Sequence, residues 1–327
     1  QVVANAPTSN VSIVVTEERF VFALGAGGNP RKVQWCDKEA NTVWTASATN
    51  EAGDMELQTT GQIMCGIRMR GSTLILTDTD AHVAQYSGAP FVYGFERVGT
   101  ACGIASRKAL VAVDDGAFWM GKNGFFSYDG SSAKPLPCEA LDYVFDDINR
   151  AQISKVYAVH NSQHGEIWWF YPSGSNLEND RYISLDYKEG HWNVGVLDRT
   201  AAVDQGAFDR PIWADASGNL YNQETGYAHG SVQPFAESGS ISLGNGDNIM
   251  RVTNLISDER TLGEVEVTFK SRFYPNDTET THGAFSLSNP TDVRFSGRQI
   301  RLKIQGVGNT NWRSGVMRME ATPGGKR

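Results

Sequence analysis

Six histidines, four cysteines and several close carboxylate pairs are the residues of this 327-residue chain best able to do chemistry, and their spacing limits what that chemistry could be. His160 and His164 lie close together with Glu166 beside them. A metal site is conceivable there, but the three flank the tip of a hairpin, where a solvated turn is the simpler reading. Cys36, Cys65, Cys102 and Cys138 are widely spaced and lack the close ligand pair of a zinc site, so they read as reduced, mostly buried thiols. Asp78-Thr-Asp80 opens like a calcium loop without its distal bidentate Glu, and reads as a turn. Asp114-Asp115 and Asp146-Asp147 read as exposed strand or helix ends rather than an acid–base dyad. No Gly-x-Ser-x-Gly, His-Glu-x-x-His or phosphate-cradling Gly loop is present. The expectation is therefore no enzyme, no metal and no cofactor. The tryptophans are left: Trp119, Trp168 and Trp213 could stack on sugars as a glycan platform, or pack between sheets.

The elements around these residues are strands. Hydrophobic residues make up 40% of the chain, enough for a substantial core, and 34 glycines suit many tight turns. Apolar runs are short, as in Ile167-Trp-Trp-Phe-Tyr171, far below the roughly 20 residues of a membrane-spanning helix. Three ten-residue segments, 75–84, 118–127 and 212–221, align without gaps. Each opens on two large apolar residues, turns through Asp, Asn or Gly, and closes on an apolar position. Looser copies start at Val33 and Ile167. Hairpins are thus expected near 33–44, 75–86, 118–128, 167–187 and 212–222. A strand-built period of roughly 40–50 residues points to propeller blades.

Two departures frame this repeat. Leu141, Val144, Phe145 and Ile148 fall at helical spacing, predicting one short helix over 138–149 with a strand from Lys155 to His160. Beyond about residue 232 the period gives way to alternating strands around Val265–Phe269, Ile300–Ile304 and Met317–Ala321. The expected fold is all-β: a β-propeller over 1–232, incomplete or not within this chain, and a small β-sandwich over 233–327.

Net charge is −8, divided unevenly. Residues 1–260 hold 19 Lys/Arg against 31 Asp/Glu, and residues 261–327 hold 10 against 6. An acidic body does not grip nucleic acid, although an acidic lumen would let DNA pass without sticking. The basic run Arg298, Arg301 and Lys303 is a candidate subunit interface, or simply the wet face of a strand.

Several runs resemble a family of tailed-phage virion proteins: Pro90-Phe-Val-Tyr-Gly-Phe-Glu-Arg97, Ala117-Phe-Trp-Met-Gly121, Gly165-Glu-Ile-Trp-Trp-Phe-Tyr-Pro172, Arg272-Phe-Tyr-Pro-Asn276, Gly297-Arg-Gln-Ile-Arg-Leu302 and Pro323-Gly-Gly-Lys-Arg327. At a distance the family is similar to the tail nozzle and packaged-DNA stabilisation proteins of short-tailed phages. The resemblance implies a propeller with accessory β-domains, a longer parent of which this is the C-terminal portion, and a homo-oligomeric ring in the virion tail, assembled in the host cytoplasm. It also implies other tail proteins as partners, transient non-specific contact with DNA, no membrane contact and no active site. A receptor- or glycan-binding tail module is the alternative.

Overall fold

The computed structural model describes residues 3–114, 116–229, 232–243, 246–257 and 264–325. Asp115, Lys326 and Arg327 therefore lie outside the described residues. The chain divides into two compact units, Gln1–Glu224 and Thr225–Arg327.

The first unit is a succession of five antiparallel meanders. The first sheet runs Ser12–Val15, Val21–Leu24, Lys32–Trp35, Gly53–Glu56, and the second Ile63–Met69, Ser72–Thr77, Asp80–Gly88, Val92–Thr100. The third runs Leu110–Val113, Gly116–Met120, Phe125–Tyr128, Ala133–Leu136, and the fourth Tyr157–Asn161, Glu166–Tyr171, Arg181–Asp186, His191–Val196. The fifth has three strands, Ala201–Val203, Ile212–Ala214 and Leu220–Asn222. The first strand of each sheet lies beside the first strand of the next, so these strands form a hub and the sheets radiate from it. That is the arrangement of β-propeller blades.

Stacking face to face explains the sequence signature. An inner blade is buried on both sides, so its second strand carries apolar residues at consecutive positions instead of alternating ones. In Ser72–Thr77, Ile75 packs toward the first sheet with Phe22 and Trp35, while Leu74 and Leu76 join the core of the third and fourth. Trp168 and Trp169 divide likewise: Trp169 lies in that larger core, and Trp168 packs with Phe170 and Trp213 toward the fifth sheet.

The aligned segments at 75–84, 118–127 and 212–221 occupy the second and third strands of separate sheets. The copy at 33–44 is a correction. Lys32–Trp35 is the third strand of its sheet and pairs with Gly53–Glu56, Val33 facing Met55. Val43 and Trp44 form no strand there. Residues 37–43 close a local turn, in which the Asp37 N–H donates to the Val43 carbonyl at 2.8 Å, and Trp44 folds back onto Ala23, Ala26 and Cys36. The equivalent second strand is Val21–Leu24. The helix spans Leu141–Asp147, with Val144 and Phe145 buried, and a 3-10 turn over Arg150–Lys155 follows. Lys155 closes that turn, so the next strand starts at Tyr157 instead.

The second unit is a β-sandwich. One sheet is ordered Phe235–Glu237, Gln299–Gly306, Val265–Arg272, Thr280–Ser286, with Ile241–Ser242 also paired to Gln299–Gly306. The other is Thr291–Gly297, Met250–Ser257, Met317–Pro323. Val265, Val267, Phe269, Ile300 and Ile304 from the first meet Val252, Leu255, Val293 and Phe295 from the second. Period-2 alternation puts each set on one face.

Candidate functional site at the hub of the sheets

The hub strands of the first four sheets end around one cavity of about 1240 Å³. Glu17 follows the first hub strand, Arg68 and Arg70 flank the end of the second, Asp114 follows the third, and His160 and Ser162 flank the end of the fourth. Their common placement is a consequence of blade geometry: every hub strand runs in the same sense, so the residues leaving it collect at one mouth. Asp129 and Lys188, from turns of the third and fourth sheets, complete the charged lining. Three carboxylates thus face three cations. A cavity balanced in this way does not focus a field of one sign on a charged ligand.

Three of these groups, Glu17, His160 and Ser162, are engaged with a neighbouring sheet. The Gly71 N–H of the second sheet donates to Glu17 Oε2 at 2.6 Å. His160 has Nδ1 at 3.3 Å from Asp204 Oδ2, beyond the fifth hub strand, and Nε2 at 3.2 Å from the Tyr187 hydroxyl. The Ser162 N–H donates to Asp204 as well, at 3.2 Å. Asp129 accepts from Lys134 and Ser131, and these bonds hold its carboxyl far below the usual range.

Burial lowers His160 from its ordinary value, outweighing the attraction of Asp204 and Asp114; burial likewise lowers His82 and His282. A histidine with a depressed folded-state value contributes stability that is complete above the unfolded value near 6.5 and is lost as pH falls through the folded one. Urea midpoints should therefore hold between pH 8 and about 7 and fall toward pH 5, and His160→Gln should flatten part of that slope. Midpoints that rise on acidification would contradict the assignment.

The glycan-stacking residues do not form a platform. Trp119 is 0% exposed, and its indole N–H donates to the Cys102 carbonyl at 2.7 Å. Trp213 is buried. Trp168 is half-buried, stacked on Tyr182 at 4.3 Å and edge-on to Trp213 at 5.1 Å. These rings are inter-sheet packing: Trp119 lies in the core shared by the second, third and fourth sheets, and Trp168 and Trp213 pack on each other between the fourth and fifth. The basic trio is half-buried within its own sandwich. Arg301 lies 3.3 Å from Glu237 and 3.6 Å from Glu279, Lys303 sits over Phe235, and Arg298 over Tyr274.

The remaining sequence candidates are structural. His164 pairs with Glu224 at 3.1 Å, and Glu166 accepts from the Trp168 indole at 2.8 Å. Asp78 accepts the Gln62 N–H, Asp80 accepts from Thr59 and Thr77, and Asp147 pairs with Arg181. The four thiols are free, and desolvation pushes Cys65 up to about 12 and Cys102 and Cys138 to about 11. Sequence reasoning missed Glu17, Arg68, Arg70, Tyr187 and Asp204. Their one signal is position, polar residues at or just past the ends of short apolar runs at the blade period.

No family model matches the chain, and no curated protein does. Among solved structures it is similar to the N-terminal domain of Nup159, at 9% identity over 90% of this chain and 75% of that one, with a TM-score of 0.42. It is also similar to the extracellular domain of a one-component system, BT4673, from B. thetaiotaomicron, at 7% identity with a TM-score of 0.41. That match covers 66% of this chain and 27% of the other. At such identities and scores neither likeness bears on what this chain does.

Proposed function

We propose that the chain is a non-enzymatic structural component of a phage tail, a nozzle or hub subunit that lines or closes the DNA exit channel as part of an oligomeric ring. The observation that carries this reading is the use of polar groups at the hub. His160 has a partner at each ring nitrogen, Glu17 holds the second sheet, and Asp204 holds the fourth. Side chains spent on fastening one blade to the next favour a rigid scaffold over a site awaiting substrate. The resemblance of the sequence to virion proteins points the same way. A receptor- or glycan-binding module has less support, because Trp119 and Trp213 are covered by neighbouring sheets.

Particles produced without this chain separate the two readings. A nozzle or hub subunit predicts particles that lack the distal tail assembly and lose packaged DNA. A receptor module predicts complete particles that keep DNA and fail to adsorb, and that outcome would overturn the proposal.

A further inference from the structure

The outermost strand of a sheet presents unpaired N–H and C=O groups, and proteins guard such edges with charges or proline. Three sheets of the first unit follow this practice. Gly53–Glu56 carries Asp54 and Glu56, Val92–Thr100 carries Glu96 and Arg97, and Ala133–Leu136 carries Lys134 and Pro135. The fourth sheet ends on His191–Val196, with sequence His-Trp-Asn-Val-Gly-Val, lacking proline, lysine, arginine and carboxylates. Val194 is 39% and Val196 61% exposed, and among the described residues no strand pairs with the outer side of this edge.

The register fixes which groups face outward. Arg181 pairs with Val196 and Tyr182 with Gly195, and the next step of the same ladder is a bond from the Leu197 N–H to the Asp180 carbonyl at 3.1 Å. Bonded pairs alternate along an antiparallel ladder. His191, Asn193 and Gly195 therefore bond inward, and the backbone groups of Trp192, Val194 and Val196 point outward. These three also share a side-chain face. Trp192 is fixed there by Phe125 at 4.8 Å and Trp169 at 6.0 Å, and the two valines extend the apolar row.

We propose that this edge pairs antiparallel with the same edge of a second copy of the chain, about a two-fold axis at Val194. The strand is self-complementary in that register. Val194 meets Val194 of the partner subunit on the axis, and Trp192 meets Val196 of the partner subunit on either side. Aromatic–β-branched pairs of this kind stabilise sheets. On the opposite face Asn193 meets Gly195 of the partner subunit, a position kept free of a side chain because the Tyr182 ring lies where a Cβ would be, at 2.4 Å. An isologous contact closes on itself and gives a dimer. The pairing does not rest on the virion reading and is separate from any ring contact.

The test is sedimentation velocity on the full chain across a concentration series, with two edge variants and one cross-link. Wild type is expected to shift from monomer to dimer. Val196→Lys should raise the dissociation constant about tenfold, through the two pairs lost across the axis, without changing the thermal midpoint measured at concentrations where both proteins are monomeric. Bonded partners sit about 5.5 Å apart at Cα, within disulfide reach. Val194→Cys in a Cys138→Ser background should thus form a covalent dimer on mild oxidation, and Phe91→Cys, on an exposed loop, should not. A wild-type chain that stays monomeric throughout would overturn the proposal, as would a dimer indifferent to Val196→Lys or one that leaves Val194→Cys uncrosslinked. A chain that is monomeric alone and accepts only an extended segment of a different protein at this edge would overturn it too.

Discussion

Trp213→Ala is expected to release the fifth sheet while the other four stay folded. That sheet is built from three strands of three residues, and most of its strand residues other than Trp213 are exposed or half-buried. Trp213 is its one fully buried large side chain, seated edge-on against Trp168 at 5.1 Å and Phe170 at 5.4 Å. Truncating a buried tryptophan costs about 3–5 kcal/mol. The polar bonds that also fasten this sheet, from Asp204 and Glu224 to the fourth, are worth about 1 kcal/mol each and are partly exposed. They cannot offset that loss. Native-state hydrogen exchange should show protection over 201–222 falling to the level of loops, with the second and third sheets unchanged. Trp213→Phe should keep most of the protection, because it retains a ring and removes an indole N–H that is buried without a partner. Equal loss of protection in all sheets would show that the fifth is not a separable unit.

Asp80→Ala is expected to destabilise the second sheet globally. Asp80 is 5% exposed and accepts from Thr59 Oγ1 at 2.9 Å and from Thr77, while His82, 3% exposed, lies 3.2 Å away. Removing the acceptor leaves two hydroxyls and an imidazole buried without it. Hydrogen bonds from buried donors to a charged acceptor are worth about 1.5–3 kcal/mol each, so losing the two from Thr59 and Thr77 costs about 3–5 kcal/mol. For a unit of this size that corresponds to a thermal midpoint lower by very roughly 10 °C. Asp80→Asn keeps an acceptor oxygen and should recover part of the loss. A midpoint within a degree or two of wild type for the alanine variant would show that the network contributes little.

The blades were legible where burial on both faces left consecutive large apolar residues, as at Leu74–Leu76, Trp119–Met120 and Trp168–Trp169. The first blade was misplaced by one strand. Its third strand is followed by a seventeen-residue connection, 36–52, whose Asp37 and Asn41 imitate a hairpin turn. Hub strands such as Leu110–Val113 and Ala201–Val203 are too short to carry a period, so the polar residues leaving them could not be gathered into one site from sequence. The tryptophans were ambiguous for a physical reason. A sugar platform and an inter-blade contact both require aromatics at strand spacing, and only the position of the next sheet tells them apart. Arg301 could be placed on the polar face of its strand, but Glu237, its partner from more than sixty residues away, could not.

If the chain is the tail subunit proposed above, reconstruction of the intact particle will locate it. A ring of density is expected at the distal end of the tail, into which the five radiating sheets of residues 1–224 fit and, fitted independently, the sandwich of residues 225–327. Particles whose tails are fully explained by other proteins, with this chain absent or found only free in the lysate, would contradict it.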